Sequence, residues 1–476
     1  MRYIFYSTPW IEMGNPYYLD PIYNKADINS GIFIDIINSL MSSGVKKEDF
    51  LIITGEAQKE IVEGNIQEDI RHIIISQKEM REFASDDVSW YEKLYCNNPD
   101  KDFLNNIANF FRKKIGNFTP DVILPFSSPV PFFKCLYPDV VICNSENGFF
   151  GNIGNIENTT FLDCFGTIKN SYIYKYKNEL RDVEISKNDK SYLEKMRTQY
   201  LHAIDKNSPF KNIISEIKEK KKLKYYLLFP MQQNNHFLTK CDLLKTQEQK
   251  LFYILENLPS NIGLVVTQAF TSMYGNVLKK DLIYYLQKKY TNFIYHTSFE
   301  EYQKSSIFLL PYIDGAIGHQ TSIANHTIFL DKPFFSISDS YTKSFSDDVK
   351  LSRIKEYFDL RNYKNKDNII NHLLKHYYIL QRDLKKPEFV SNFFYNIFQK
   401  SKQKKIDFNL YLFNEYNLKD VYQFDKLKII PVKQDTNEIY ELHWNNVLLA
   451  LEAEKEKNKI LGTKLKNTLL DLDEKK

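Results

Sequence analysis

The stretch SIFLLPYIDGAIGHQTSIANHTIFLDKPFFSIS, Ser306 to Ser338, gathers residues suited to holding an anion. Gly315, Gly318, His319, Gln320, Thr321 and Ser322 fall between an apolar run and a helix-like run. Glycine lets a backbone come close to a ligand, and the hydroxyls and free N–H groups of a helix start suit a negative charge. The plain alternative is an ordinary capped helix, in which the same residues only end one element and begin the next. His319 and His326 stand on either side of the helix start with no third ligand near them, so they do not read as a metal site. The chain has no G-x-x-x-x-G-K-[ST] phosphate loop, no H-E-x-x-H helix and no G-x-S-x-G elbow. The spaced glycines of GNIGNIEN (Gly151 to Asn158) follow no strand-to-helix turn of the dinucleotide type.

Residues of this kind need a frame, and the hydrophobic pattern predicts one. The first half reads as strand RYIFYS, a polar aromatic loop, helix IFIDIINSLMSSG closed by Gly44, and strands FLIITGE and RHIIIS. Helix DKDFLNNIANFFRKKIGNF and strands PDVILPFSS and DVVICNSENGFFG follow. A second series runs through strand LKYYLLFPMQQNN, helix TQEQKLFYILENL, strand NIGLVVTQAF, helix LKKDLIYYLQKKY and strand NFIYHTS. Helix FEEYQKSS and strands IFLLPYI and PFFSIS complete it. Short apolar strands alternating with helices predict parallel sheets, whose ligands sit beyond the carboxyl ends of the strands. The expected organisation is an α/β domain over 1–170, a charged helical connection over 171–222, a second α/β domain over 223–345, a helical region over 346–442 and a helical tail over 443–476. In the tail, Leu451, Leu465 and Leu472 share a heptad grid with Asn458, which suits a short coiled coil or an amphipathic surface contact, but Gly462 weakens the helix and a plain solvated helix is the expected form.

With 476 residues, 43% of them hydrophobic and 26% charged, the chain is large enough for two or three cores and is not a disordered polymer. A formal charge of +4, from 64 basic and 60 acidic residues, argues against a general nucleic-acid binder. The five cysteines form no C-x-x-C pair, which fits reduced thiols rather than a disulfide scaffold or a zinc site. The N-terminus shows no apolar leader segment and no apolar run is long enough to span a bilayer, so a cytoplasmic protein is expected.

The second half resembles the donor-binding domain of GT-B glycosyltransferases, particularly bacterial enzymes of capsule and lipopolysaccharide synthesis. The resemblance lies in LLFPMQQNN, GLVVTQAF, NFIYHTS and above all DGAIGHQTSIANHTIFLDKPFF, and it covers about Leu223 to Ser338. It implies two Rossmann-like domains facing a cleft. It also implies that a strand end, a small-residue turn, a hydroxyl-bearing helix start and a "KP" turn surround the phosphate of a nucleotide-sugar. Where that family often carries a Glu in the helix after the loop, this chain has Asn325 and His326.

Under this resemblance Gly318, His319, Gln320, Thr321 and Ser322 are donor-site candidates, joined by Gln232, Gln233, Thr267, Tyr295 and His296 at other strand ends. Helix-start donors stabilise a departing nucleotide without a metal, so no metal or other cofactor is expected. The first half then receives the acceptor. Glu146 is the leading candidate for a catalytic carboxylate, with Asp20 and Asp163 as rivals, and Trp10, Tyr17 and Tyr18 are candidates for stacking against sugar rings. The expected activity is transfer of a sugar from a nucleotide-sugar to a bacterial surface glycan or lipid-linked glycan at the inner face of the membrane, with the tail serving peripheral or self-association. Two other readings are transfer of a phosphorus-containing group onto a polysaccharide and a non-catalytic glycan-binding or assembly protein.

Overall fold

The computed structural model describes every residue outside 10–18, 57–69, 86, 97–98, 127, 151–153, 233–241, 269–277, 320, 362, 364 and 434–476. Two five-stranded parallel sheets organise it. In the first, β1 (Tyr3–Tyr6) lies between β2 (Phe50–Gly55) and β4 (Val122–Pro125), with β3 (Arg71–Ile75) and β5 (Val141–Ile142) outermost. In the second, β8 (Tyr225–Met231) lies between β9 (Ile262–Gln268) and β11 (Gly315–Gly318), with β10 (Phe293–Ile294) and β12 (Phe334–Ser336) outermost. Numbered within each half, both sheets run 3-2-1-4-5, the order of a doubly wound nucleotide-binding fold. The protein therefore has two Rossmann-like domains, followed by a largely helical extension.

Strands buried on both faces explain the continuous apolar runs. Tyr3 and Phe5 join Phe50, Ile52, Val122 and Leu124 in one core, while Ile4 and Tyr6 join Leu51, Ile53 and Ile123 in another, as a two-residue period requires. In β8, Leu227, Phe229 and Met231 enter a third core, but Tyr226 and Leu228 belong to the same core as Tyr3 and Phe5. One apolar core thus runs from sheet to sheet.

Helices complete that core. Helix α1 (Leu19–Ser42) covers the first sheet, and α2 (Lys101–Ile115) starts at the cap of Asp100 and ends at Gly116, whose φ of 64° suits glycine. The connection between the domains is helical and includes α3 (Lys187–Asn207). Helix α4 (Gln247–Asn257) begins with a Thr246–Gln249 capping box, and α5 (Ile323–Phe329) is buried along its whole length. Arg197 on α3 donates to the Phe329 carbonyl at 2.5 Å and pairs with the buried Asp367, which holds α5 in place. The last long helix, α6 (Pro387–Lys402), crosses back to the first domain and packs on α1. There Ser39 Oγ donates to the Leu384 carbonyl at 2.7 Å and Phe394 meets Tyr3 edge to face. The tail expected over 443–476 lies outside the described residues.

Several expectations are corrected. The run IFLLPYI is not a strand: Ser305–Leu309 is one helical turn and Leu310–Tyr312 a 3-10 turn. The strand is GAIG itself, read above as loop. A short buried apolar run has the same pattern in either conformation, and Gly carries little strand signal. Its glycines answer packing: a Cβ on Gly315 would stand 2.7 Å from the Pro333 carbonyl oxygen, and one on Gly318 2.6 Å from the Thr321 methyl. FEEYQKSS contributes only the 3-10 turn Thr297–Glu300 and a five-residue helix that starts at Ser305. The run DVVICNSENGFFG is not one strand: β5 ends at Ile142 and a separate β6 (Asn144–Asn147) runs antiparallel to β7 (Thr159–Asp163), with β13 (Ile379–Leu380) of the extension completing this third sheet.

Candidate functional site

In a doubly wound sheet, the loops after the first and fourth strands leave in opposite directions and open a crevice between them. In the second domain these loops follow β8 and β11, and they carry Asp242 and His319. Asp242 Oδ2 lies 2.5 Å from His319 Nε2 and 3.0 Å from Lys250 Nζ. Lys250 is fully buried on the inner stripe of α4 beside Leu251 and Ile254. Burial works against the charge of Asp242, but the hydrogen bond from His319 and the charges of His319 and Lys250 outweigh it and hold its carboxyl below the ordinary value.

The first domain repeats the arrangement without charge. Thr8 follows β1, Ser128 follows β4, and their buried hydroxyls are hydrogen-bonded, with Tyr91 OH 3.2 Å from Ser128 Oγ. The two switch points thus differ: neutral hydroxyls in one, a carboxylate with two basic groups in the other.

A cleft of about 520 Å³ opens at the carboxyl ends of both sheets. Its first-domain wall includes Pro129, Lys134, Asn144 and the turn from Cys164 to Asn170, and its second-domain wall includes Asp242, His319, Ser338, Asp339 and Ser340. Lys134 donates to the Val140 carbonyl at 2.5 Å, and burial pulls its ammonium below the ordinary lysine range. Hydroxyls of Ser336, Ser338, Ser340 and Thr342 form a chain behind β12, with separations of 2.8 to 3.2 Å.

Of the donor-site candidates that are described, His319 lines this cleft. Thr321 is buried and its Oγ1 accepts from the Ile323 N–H at 3.3 Å, so it caps α5, while Ser322 is exposed and makes no side-chain cap bond. Gly318 is held against Thr321 and the Phe334 ring. Thr267 Oγ1 bonds Ser306 Oγ at 2.7 Å, Tyr295 OH donates to Glu300, and His296 Nδ1 accepts from the Ser298 N–H at 3.2 Å. Gln232 is half-buried immediately after β8; Gln233 and Gln320 lie outside the described residues. Asn325 and His326 are buried within α5, and His326 Nδ1 lies 3.0 Å from Tyr200 OH. Lys332 of the "KP" turn donates to the carbonyls of Leu310 and Ile313, and burial pulls its ammonium down to about 8.

The carboxylates separate as sharply. Asp163 is fully buried and accepts from the N–H groups of Phe165 and Tyr172 at 2.8 and 2.7 Å and from Tyr377 OH at 2.8 Å. Burial pushes its carboxyl up to about 6 despite these donors. With these bonds it anchors the turn behind the cleft. Glu146 is half-buried within β6, on the face of the strand that also carries the cleft residue Asn144. Asp20 falls in α1 with its side chain outside the described residues, as do Trp10, Tyr17 and Tyr18 altogether.

The sequence reading missed Asp242 and Lys250. One signal was present: Gln247, Lys250, Leu251 and Ile254 share a helical stripe, and a lysine on a core-facing stripe requires a buried counter-charge.

No family model matches the chain, and no curated protein sequence does. Solved structures give distant likenesses. Thermosulfurimonas dismutans KpsC, a beta Kdo 2,7 transferase, matches at 14% identity and a TM-score of 0.35 over 60% of this chain and 89% of that one. The N-terminal domain of Candida albicans trehalose-6-phosphate phosphatase matches at 12% and 0.35, over 84% and 97%. An S. aureus MnaA–UDP co-structure matches at 10% and 0.31, over 85% and 98%. At such distances no residue role carries over, and the fold assignment rests on the sheet orders themselves. Among the described residues, no helix is long and apolar enough to cross a membrane.

Proposed function

We propose that the protein is a glycosyltransferase that moves a sugar from a nucleotide-sugar to a bacterial surface glycan. The observation that supports this reading is the Asp242–His319 contact at the switch point of the second sheet, on the wall of a cleft shared with the first. When the bond between the sugar and the donor phosphate breaks, its electron pair stays on the phosphate, and the departing nucleotide becomes more negative. His319 Nε2 faces Asp242 Oδ2, which fixes the ring on the cleft wall as a hydrogen-bonding group where that charge appears. Lys250 keeps Asp242 ionised. Backbone N–H groups and hydroxyls near Ser338 and Ser340 add neutral donors, and the reading needs no metal. The acceptor enters from the first-domain wall, and Glu146 of β6, the strand that brings Asn144 to the cleft, is the candidate base.

The test is release of nucleotide by the full-length protein from a panel of UDP-, GDP- and CMP-sugars, with oligosaccharide acceptors, followed by mass analysis of the product. A product heavier by one sugar is expected. A product carrying phosphate assigns phosphoryl-linked transfer instead, and binding of glycan with no turnover of any donor assigns a binding protein.

A further inference from the structure

Cys143 and Cys164 occupy opposed positions one step beyond the Asn144–Asp163 pair of β6 and β7. Their sulfurs are 3.4 Å apart. Directly opposed residues of antiparallel strands have Cα atoms about 4.5–5.5 Å apart, within the about 4.4–6.8 Å that a disulfide accepts. Closing the bond to about 2.05 Å therefore takes a side-chain adjustment and no new backbone path. The two thiols differ in access: Cys143 is fully buried, whereas Cys164 lines the cleft. The backbone on both sides is fixed, since Cys143 N–H donates to the Ile123 carbonyl at 2.8 Å and Cys164 N–H donates to Tyr411 OH at 3.0 Å.

We propose that Cys143 and Cys164 are a dithiol–disulfide couple in the cleft wall, closed by exchange with a low-molecular-weight disulfide such as oxidised glutathione. The thiolate of Cys164 attacks one sulfur of the small disulfide, which releases one small thiol and leaves a mixed disulfide in the cleft. The Cys143 sulfur then attacks the Cys164 sulfur and displaces the second small thiol, which leaves with the Cys143 proton. The protein loses two hydrogens and two electrons, and the small disulfide is reduced to two thiols. Burial pushes the Cys143 thiol well up, so the accessible Cys164 reacts first and Cys143 resolves. Closure draws the Cys164 sulfur off the cleft wall and pins the turn that Asp163 anchors.

The experiment exposes the full chain to oxidised glutathione, quenches with acid, alkylates remaining thiols and maps peptides by mass. The expected result is loss of two alkylatable thiols per chain, a peptide pair joining Cys143 to Cys164, and reversal by dithiothreitol. Cys143→Ala should instead accumulate a stable glutathione adduct on Cys164, because nothing displaces it. A wild-type chain that keeps the adduct on Cys164, reacts only at the exposed Cys135, or joins Cys135 to either partner overturns the proposal. The readout is the bond and not turnover, so its failure leaves the function of the cleft untouched.

Discussion

His319 Nε2 and Asp242 Oδ2, 2.5 Å apart, join the two loops that leave the second sheet in opposite directions. If this contact carries the charge of a departing nucleotide, His319→Gln should lower nucleotide release about 100- to 1000-fold, the usual effect of removing one donor from an oxyanion-type site. Asp242→Asn should act on the fold as well, because it takes away the carboxylate that faces the fully buried Lys250 Nζ at 3.0 Å. A loss of about 3–5 kcal/mol in urea denaturation is expected. Near-normal release by His319→Gln would remove the site from the second sheet.

Thr321 and Ser322 should separate by stability. Thr321→Ala removes the acceptor for the Ile323 N–H and should cost about 1 kcal/mol. Ser322→Ala, at an exposed side chain without a cap bond, should stay within about 0.5 kcal/mol. Thermal denaturation of the two variants checks the order, and a larger loss for Ser322→Ala contradicts the geometry.

Gly315→Ala places a methyl against the Pro333 carbonyl oxygen, which belongs to backbone, and should destabilise by about 1–3 kcal/mol. Gly263→Ala has side-chain atoms of Ile294, Tyr226 and Leu223 as its nearest neighbours rather than backbone and should cost less. Calorimetric midpoints of the two variants measured side by side decide this, and equal losses would mean that the β11 backbone can shift.

Two buried groups titrate in opposite senses. Burial lowers His326 to about 3, below the unfolded value of about 6.5. Its contribution is complete above the unfolded value and is lost as pH falls toward the folded one, because protons then favour the unfolded chain. Asp163, raised to about 6 by burial, contributes fully below its unfolded value of about 3.9 and loses that contribution as pH rises through 6. Between about pH 6 and 4 the two oppose each other. His326→Asn should flatten the acid loss of stability over this range and Asp163→Asn should steepen it, read as urea midpoints at several pH values.

Much of the frame was readable because parallel strands buried on both faces leave continuous apolar runs, as in YIFY, FLIITG and IGLVVTQ. The 3-2-1-4-5 order was not, since strand order depends on contacts between distant segments. GAIG was missed because Gly315 and Gly318, kept small by the Pro333 carbonyl and the Thr321 methyl, carry little strand signal. His319 was found from its place between Gly318 and a helix start. Its partner was not, because Asp242 is 77 residues upstream, and only the sheet order brings the two loops together. Asp163 looked like a rival catalytic acid because sequence does not show how many backbone N–H groups converge on a carboxylate.

The return of α6 to α1 means that a single cut does not divide the molecule. A fragment beginning near Lys222 takes α6 with it and strips Val390, Phe393, Phe394 and Ile397 of the surface they cover, including Tyr3. The complementary fragment exposes the other side of the same seam. Chains nicked between the domains should therefore stay associated and elute at the size of the intact protein, each piece acting as the other's missing wall. Expressed alone, the second half should aggregate unless α6 is removed or its apolar face is made polar.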